Sequence, residues 1–183
     1  MSDADIINSL NFGRSEDILK NTSDNPMTEL LLRITNELIE DWRKQLISDK
    51  SYATGDLAQS LRPVNIKPDS IETTASHHWK YINYGVNGIK VNRGAPTHGK
   101  APKGNLSFYQ AIYKWIGDKG IVPEEGMTRE QLAGAIVNSV RMKGIEATHF
   151  FDKVLTEQRV DEMSQRVSDL VGAAIRVVIK KPK

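Results

Sequence analysis

The sequence contains no cysteine among its 183 residues. This absence excludes disulfide bonds, thiolate metal ligands and catalysis by a cysteine nucleophile. A chain of this length buries enough apolar surface to form a core, so its stability requires neither a metal nor a disulfide. We therefore expect neither a cofactor nor redox chemistry. The absence of cysteine is compatible with a cytosolic or virion protein.

Long apolar runs and a strong net charge are also missing. No apolar stretch approaches the about 18 residues of a membrane span, and the first residues lack the basic and apolar regions of a signal peptide. The 25 basic residues nearly balance the 23 acidic ones, which gives a net charge of +2. A dedicated nucleic-acid binder has a much larger basic excess. We expect a soluble protein that is made in the cytoplasm and has no membrane partner.

The common catalytic patterns do not occur. Among the four histidines there is no His-x-x-x-His pair, and the adjacent His77 and His78 would point to opposite faces of a strand. There is no Gly-x-Ser-x-Gly or Ser-x-x-Lys motif and no phosphate-binding glycine motif. The paired carboxylates at 124–125 and 161–162 are typical of a solvated surface. We predict that the chain is not an enzyme and holds no metal.

The chain divides by composition near residue 26. Residues 1–26 are rich in acidic side chains and predict an N-terminal arm, whereas residues 27–183 predict a single α+β domain. Thr28 is the predicted cap of a first long helix that runs to about residue 49. The apolar positions of this helix recur with a helical period: Leu31, Ile34, Leu38, Trp42 and Leu46.

Two short elements are predicted next. Residues 54–61, where Thr54 can cap the first turn, indicate a short helix. Residues 64–75 indicate a hairpin exposed on one face, because two segments of alternating apolar and polar residues flank the turn residues Pro68, Asp69 and Ser70.

An aromatic segment at 79–84 carries large side chains at both odd and even positions. This pattern predicts a central strand that is covered on both faces. The following Asn87 and Gly88 favour a two-residue type I′ turn, which would pair Val86 with the alternating Ile89 and Val91. We expect a flexible loop over residues 86–105, which are rich in glycine, proline and lysine and contain no acid.

Three helices are predicted to complete the domain. The first starts at Asn105 or Ser107 and is ended by Gly117 and Gly120. Its predicted apolar stripe is Phe108, Ile112, Trp115 and Ile116.

The second of these helices runs from Thr128 to Gly144, and the third starts near Glu157. Residues 173–179 fit either a further helix or a final strand, and we favour the helix. The predicted buried residues are Leu132, Ile136, Val137 and Val140 in the second helix and Val160, Met163, Val167, Leu170 and Val171 in the third.

These elements predict an α+β fold. A small antiparallel sheet is packed by the long N-terminal helix and by two to three C-terminal helices, and a long Gly/Pro/Lys-rich loop leaves the sheet.

Basic residues concentrate between 76 and 119. Interleaved aromatic residues allow a nucleic-acid surface with stacking platforms, so a DNA-binding module is an alternative function. The same aromatics have the spacing of core residues, and the basic side chains are also suited to a neighbouring subunit's acidic arm. This segment contains one acidic residue, Asp118, and seven basic residues: Lys80, Lys90, Arg93, Lys100, Lys103, Lys114 and Lys119.

Five motifs in a fixed order resemble a known family. They are Thr-Gly-Asp-Leu at 54–57, the aromatic segment ending in glycine at 81–85, the Gly/Pro/Lys-rich segment 94–103, the Trp-containing segment 111–121, and the Gly-Ile to Phe-Phe segment 144–151. Together they resemble the neck or tail-completion proteins of tailed bacteriophages, which join head to tail. Two positions depart from the family pattern: Asn83-Tyr84 replaces the usual acidic residue, and Thr148-His149 replaces the common proline.

The resemblance implies a structural virion protein and no catalysis. The subunit would form a homo-oligomeric ring, typically hexameric, at the neck or tail end of the virion. It would contact connector or adaptor and tail proteins and would let DNA pass through the lumen. The predicted subunit interface consists of the arm, the loop 86–105 and, as individual residues, Tyr84, Asn87, Lys90, Arg93, Lys100, Lys103 and Phe150.

Overall fold

The computed structural model describes residues 25–51, 55–95, 106–173 and 175–180. It confirms the predicted α+β class, with helices before and after two small antiparallel sheets. In chain order the elements are α1 (Pro26–Ser48), α2 (Asp56–Ser60), β1 (Arg62–Lys67), β2 (Ser70–Thr74), α3 (Trp79–Tyr84), β3 (Val86–Asn87), α4 (Phe108–Asp118), α5 (Arg129–Lys143), β4 (Gly144–Ile145), α6 (Phe150–Val154) and α7 (Glu157–Val171).

The described residues cluster into two compact units. Unit 1 contains residues 25–50, 57–76 and 150–180, and unit 2 contains the described residues of 51–56 and 77–149. The prediction of a single domain at 27–183 stays a prediction, because a compact unit is not by itself an independently folding domain. The predicted arm lies almost entirely outside the described residues, as does Thr54.

The cap of helix α1 lies three residues earlier than predicted. The cap is Asn25, whose side chain accepts a hydrogen bond from the amide of Met27 at 2.9 Å, and Pro26 occupies the first turn. Thr28 is therefore a buried residue inside the helix and not its cap. The Asn-Pro pair starts the helix because asparagine satisfies a free amide and proline has the helical φ.

The core of unit 1 forms around the buried face of α1. Trp42 packs on Phe151 with 4.3 Å between ring centroids, and Phe151 meets Phe150 edge to face. Other buried residues of this core are Leu32, Ile34, Leu38, Leu46, Met163 and Val167. The predicted period of α1 is thus confirmed at four of its five positions, and Leu31 is only half-buried.

Two kinds of polar contact hold other elements of unit 1 to α1. The guanidinium of Arg43 donates to the carbonyl oxygens of Ala58 and Leu61 at 3.0 and 2.8 Å. Arg166 on α7 donates two hydrogen bonds, of 2.6 and 3.0 Å, to the carboxylate of Glu37. A charge-assisted pair of this geometry fixes the orientation of the two helices more than it adds to their stability.

The predicted hairpin is confirmed as the antiparallel pair β1 and β2. Its register pairs Arg62 with Thr74, Pro63 with Thr73 and Val64 with Glu72, and is then shifted by an irregularity before Lys67. Helix α1 packs against both strands.

The predicted central strand at 79–84 is wrong, because these residues form helix α3. The buried residues Trp79 and Asn83 are one helical turn apart, whereas Tyr81, which a strand would place on the same face as both, is 39% exposed. A short segment with large side chains at every position has no clear period, so its packing decides between helix and strand.

The predicted type I′ turn at Asn87 and Gly88 is also wrong, since neither residue has a positive φ. Val86 and Asn87 pair instead with Ile145 and Gly144, in the two-residue strands β3 and β4. The amides of Ile89 and Lys90 donate to carbonyl oxygens at the end of α5, which a helix leaves without an internal partner, and this holds the segment beside β4.

Ser107 and Thr128 cap the starts of α4 and α5, as predicted. Each forms a capping box with the glutamine three residues later. Helix α5 ends at Gly144, also as predicted. Gly117 lies inside α4 and does not end it. The predicted apolar faces are buried only in part: Ile116 and Val137 are buried, whereas Phe108, Ile112, Trp115, Leu132, Ile136 and Val140 are half-buried. Ala133, which was not predicted, is also buried.

The end of the chain differs most from its prediction. Leu170 and Val171 at the end of α7 are 45% and 46% exposed, although they were expected in the core. Gly172 ends the helix in the left-handed region. Residues 175–180 form neither the favoured helix nor a paired strand. Of the other predicted residues in α7, Met163 and Val167 are buried and Val160 is half-buried.

Candidate subunit interface

Two segments of unit 2 approach each other through glycines. At Gly85 and at Gly144, φ is +73° and +75°, in the region that favours glycine. A Cβ at Gly144 would overlap the carbonyl oxygen of Val86, and a Cβ at Gly85 would overlap that of Ile145. The β3–β4 pair can therefore form only because both positions lack a side chain.

The segment after β4 caps the end of helix α3. The amide and the hydroxyl of Thr148 both donate to the carbonyl oxygen of Ile82, at 3.1 and 2.9 Å, and the amide of His149 donates to that of Asn83 at 3.0 Å. These are carbonyl groups that a helix leaves without an internal partner. Thr148 stands where the resemblance has a proline, which could not donate its amide.

The segment after β3 caps the end of helix α5 in the same way. The amides of Ile89 and Lys90 donate to the carbonyl oxygens of Arg141 and Met142 at 2.9 Å each. The segment after β4 thus caps α3, the helix before β3. The segment after β3 caps α5, the helix before β4. We call residues 82–95 together with 141–149 the crossed segments.

Asn87 fixes the path of the chain beyond β3. Its side-chain oxygen accepts hydrogen bonds from the amides of Arg93 and Ala95 at 2.7 and 3.2 Å. Its side-chain nitrogen donates to the carbonyl oxygen of Ala95 at 2.6 Å. An amide side chain is the only type that offers an acceptor and donors together in this geometry. This described part of the predicted loop is therefore well anchored.

Arg93 ties the same turn to the end of α5. Its Nε donates to the carbonyl oxygen of Lys143 at 3.1 Å, and its Nη1 lies 3.2 Å from a carboxylate oxygen of Glu146. A cation at a helix C-terminus complements the helix dipole. The positive charge of Arg93 therefore has a partner within the chain.

Ile89 is the apolar residue that this anchored turn leaves to solvent. Its side chain is 79% exposed although its main chain is hydrogen-bonded to α5. The neighbouring Lys90 is also exposed. An apolar side chain on a fixed main chain loses little conformational entropy when a partner covers it.

The structure places the predicted interface residues unequally. Asn87, Lys90 and Arg93 lie together in the crossed segments, and Tyr84 is half-buried, with its ring 5.8 Å from that of Trp79. Lys100 and Lys103 lie outside the described residues. The prediction that Phe150 belongs to the interface is wrong. Its side chain is fully buried in the core of unit 1 and is not available to a neighbour.

The basic segment 76–119 is less open than its composition indicates. Lys114 is paired with Asp118 at 2.8 Å, and burial lowers the pKa of Lys119. Trp79 is buried, and Phe108, Tyr113 and Trp115 are half-buried. Most of these aromatic rings are therefore packed against the protein and are not free stacking platforms.

The titratable groups of the described residues form no cluster suited to a metal ion. No group of three His, Cys, Asp or Glu side chains in the described ranges has a geometry that could hold a metal ion. The pKa of His78 is lowered by burial and by the nearby His77, whose ring stands edge-on at 5.7 Å. Within the same ranges, no helix has the length and apolar character that crossing a bilayer requires.

The glycine contacts and the reciprocal helix caps of the crossed segments were not predicted from the sequence. Two signals were present in the sequence. Trp79 and Asn83 have the spacing of one helical turn, and Gly85 and Gly144 each follow a segment that reads as a helix end.

Comparison of the chain with protein-family models, with curated proteins and with solved structures found no match.

Proposed function

We propose that this chain is a structural subunit of a tailed-bacteriophage virion. It assembles into a homo-oligomeric ring, typically hexameric, at the neck or tail end, joins the head connector to the tail and lets DNA pass. It acts without catalysis. The proposal starts from the ordered motifs of the sequence, and the contacts among the motif residues support it.

The observation that carries the proposal is the meeting of two of the five motifs. Residues 81–85 and 144–151 are about 60 positions apart in sequence, yet Gly85 fits against the backbone of residues 145–147, and Thr148 and His149 cap the helix that ends at Tyr84. Motifs that occurred by chance would have no reason to meet.

The surface beside this unit supports assembly. Ile89 is 79% exposed on an anchored turn, next to the exposed Lys90. An apolar residue with a basic neighbour is typical of an interface centre and its polar rim. We assign Ile89 to the subunit interface in addition to Asn87, Lys90 and Arg93.

The test is to image the purified full-length chain for closed rings, alone and with its connector or tail partner. Ile89→Asp should abolish ring formation without lowering the melting temperature, because the new charge would be buried in the ring but not in the monomer. Val122→Asp is the matched control, since Val122 is 85% exposed in unit 2 but lies outside the crossed segments.

Two results would contradict the proposal. One is a chain that stays monomeric at high concentration and in the presence of both partners. The other is salt-dependent binding of duplex DNA by the monomer that Lys100→Ala and Lys103→Ala weaken, which would support the DNA-binding alternative instead.

A further inference from the structure

Exposed apolar residues collect at the C-terminal end of unit 1. Leu170 and Val171 on the last turn of α7 are 45% and 46% exposed, and Ile175 and Val178 beyond it are 38% and 71% exposed. Four large apolar side chains within nine residues are more than the scattered exposure that is normal for a protein surface. A partner that covers this end would remove them from water.

The main chain of this end is held by two serine hydroxyls. The amide of Ile175 donates to Oγ of Ser168 at 3.0 Å, and the amide of Val177 donates to Oγ of Ser164 at 3.1 Å. No hydrogen bond joins the main chain of residues 178–180 to another of the described residues. The tail, residues 175–180, is therefore attached to α7 through residues 175 and 177, and Oγ of Ser168 also donates to the carbonyl oxygen of Ile175 at 3.2 Å.

The composition of the tail is that of a strand. Residues 175–179 are Ile-Arg-Val-Val-Ile, and β-branched residues favour extended structure. One face of such a strand would carry Ile175, Val177 and Ile179. The other would carry Arg176 and Val178.

Unit 1 also has an open sheet edge. The sheet of β1 and β2 has two strands, so each has one edge without a strand partner among the described residues. Strand β1 is protected against pairing, because Pro63 has no amide hydrogen and the positive φ of Asn65 lies in an irregular stretch. Strand β2 has no proline and no positive φ.

The pairing of β2 with β1 leaves suitable backbone groups on the open edge. A proline in an edge strand turns its nitrogen away from the sheet, so Pro63 and Thr73 form a non-hydrogen-bonded pair. The amide and carbonyl of Thr73, and those of Ile71 two residues earlier, therefore point to the open edge. These groups are the ones that an added strand would use.

We propose that residues 175–179 of one copy add as a strand to the open edge of β2 in a second copy. The tail segment and β2 have the same length of five residues. When Arg176 lies opposite Glu72, the apolar residues Ile175 and Val177 lie on the face of Ile71 and Thr73. Cross-strand pairs of opposite charge and of apolar residues both stabilise a sheet.

This contact would orient all subunits of the ring in the same head-to-tail sense. The inference rests on the proposed function, in which subunits assemble into a ring. The donated tail and the receiving edge are different surfaces, so every subunit gives one strand and receives one. Such a head-to-tail contact closes a ring when the rotation between subunits allows it.

Disulfide trapping tests the contact directly, since the natural chain has no cysteine. Full-length Thr73→Cys is mixed under oxidising conditions with Ile175→Cys, Val177→Cys or Val178→Cys. A crosslinked dimer should form with Val177→Cys, because a parallel strand pairs through residues 176 and 178 and leaves the serine hydrogen bonds of Ile175 and Val177 in place. It should form with Ile175→Cys instead if the strand is antiparallel and exchanges those bonds for bonds to β2. Val178→Cys is the control on the opposite face and should give only background.

Removal of residues 174–183 is the second test. Rings should be lost, while the melting temperature should change little, because none of the described residues 175–180 is buried. Trapping no higher than the control, together with rings that persist without the tail, would overturn the strand exchange and leave the ring proposal intact. A full-length chain that neither crosslinks nor forms rings with its partners would overturn both.

Discussion

Arg129 binds Tyr113 in two ways at once. Its Nη2 donates to the carbonyl oxygen of Tyr113 at 2.6 Å, and its guanidinium carbon lies 4.1 Å from the centre of the Tyr113 ring. The same guanidinium occupies the space that a side chain at Gly117 would fill. The first residue of α5 thus fixes the position of α4 by a hydrogen bond and a cation–π contact.

Arg129→Ala should lower the free energy of unfolding by about 1 to 2 kcal/mol, because it removes both contacts. Gly117→Ala should be neutral or destabilising in the natural chain, where it displaces the guanidinium. In the Arg129→Ala background it should instead stabilise by up to about 1 kcal/mol, since alanine favours helix. Urea denaturation of the two single variants and the double variant measures the coupling. Additive effects would contradict the packing of Arg129 on Gly117.

Gly144→Ala should destabilise by about 2 to 4 kcal/mol, because its Cβ would overlap the backbone of β3 at a positive φ. Gly134→Ala is the matched control in α5. No atom lies within 4 Å of its added Cβ, so it should stabilise by about 0.5 to 1 kcal/mol. The midpoints of urea unfolding distinguish the two, and equal effects would mean that the β3–β4 contact does not form.

Asn87→Ala should release the turn at 93–95, because three hydrogen bonds to Arg93 and Ala95 are lost. Hydrogen exchange at the amides of these two residues should become faster, and the global free energy of unfolding should fall by about 1 kcal/mol. Asn138→Ala, an exposed position of α5, is the control and should leave both quantities unchanged. Exchange at 93 and 95 that does not change would show that other contacts hold the turn.

Glu37→Gln should lower the melting temperature near neutral pH but not in acid. The hydrogen bonds from Arg166 lower the pKa of Glu37, and the charges of Arg166, Arg159 and Arg33 add to this effect against a smaller opposing effect of burial. A carboxyl group with a pKa lowered by folding stabilises the protein above its unfolded pKa. This contribution is lost as the pH falls through the folded pKa.

The expected loss for Glu37→Gln is under about 1 kcal/mol, since the pair is more than a third exposed and is screened by solvent. Thermal unfolding between pH 3 and pH 7 should show the difference from the natural chain vanishing below the ordinary glutamate range of about pH 4. Glu29→Gln, at a 60% exposed pair with Arg33, is the control and should have a smaller effect. A difference that grew in acid would contradict the assignment.

Local signals predicted the parts of the fold that depend on a few neighbouring residues. The capping boxes at Ser107 and Thr128, the glycine end of α5 and the hairpin turn at 68–69 were all evident from sequence. The segment 79–84 was not, because large side chains at every position fit a helix and a covered strand equally well. The candidate interface was predicted as a mobile loop, whereas its described part is anchored by residues 50 positions away.

The sequence by itself determined the α+β class, the long first helix with its apolar face, and the starts of α4 and α5, because these depend on residues within about one turn of each other. Only the tertiary structure decided that 79–84 is a helix, that Gly85 and Gly144 fit against the backbone of the opposite segment, that Phe150 is in the core and that Leu170 and Val171 are exposed. Each of these outcomes depends on free backbone groups or core space supplied by distant parts of the chain. No short stretch of sequence contains that information.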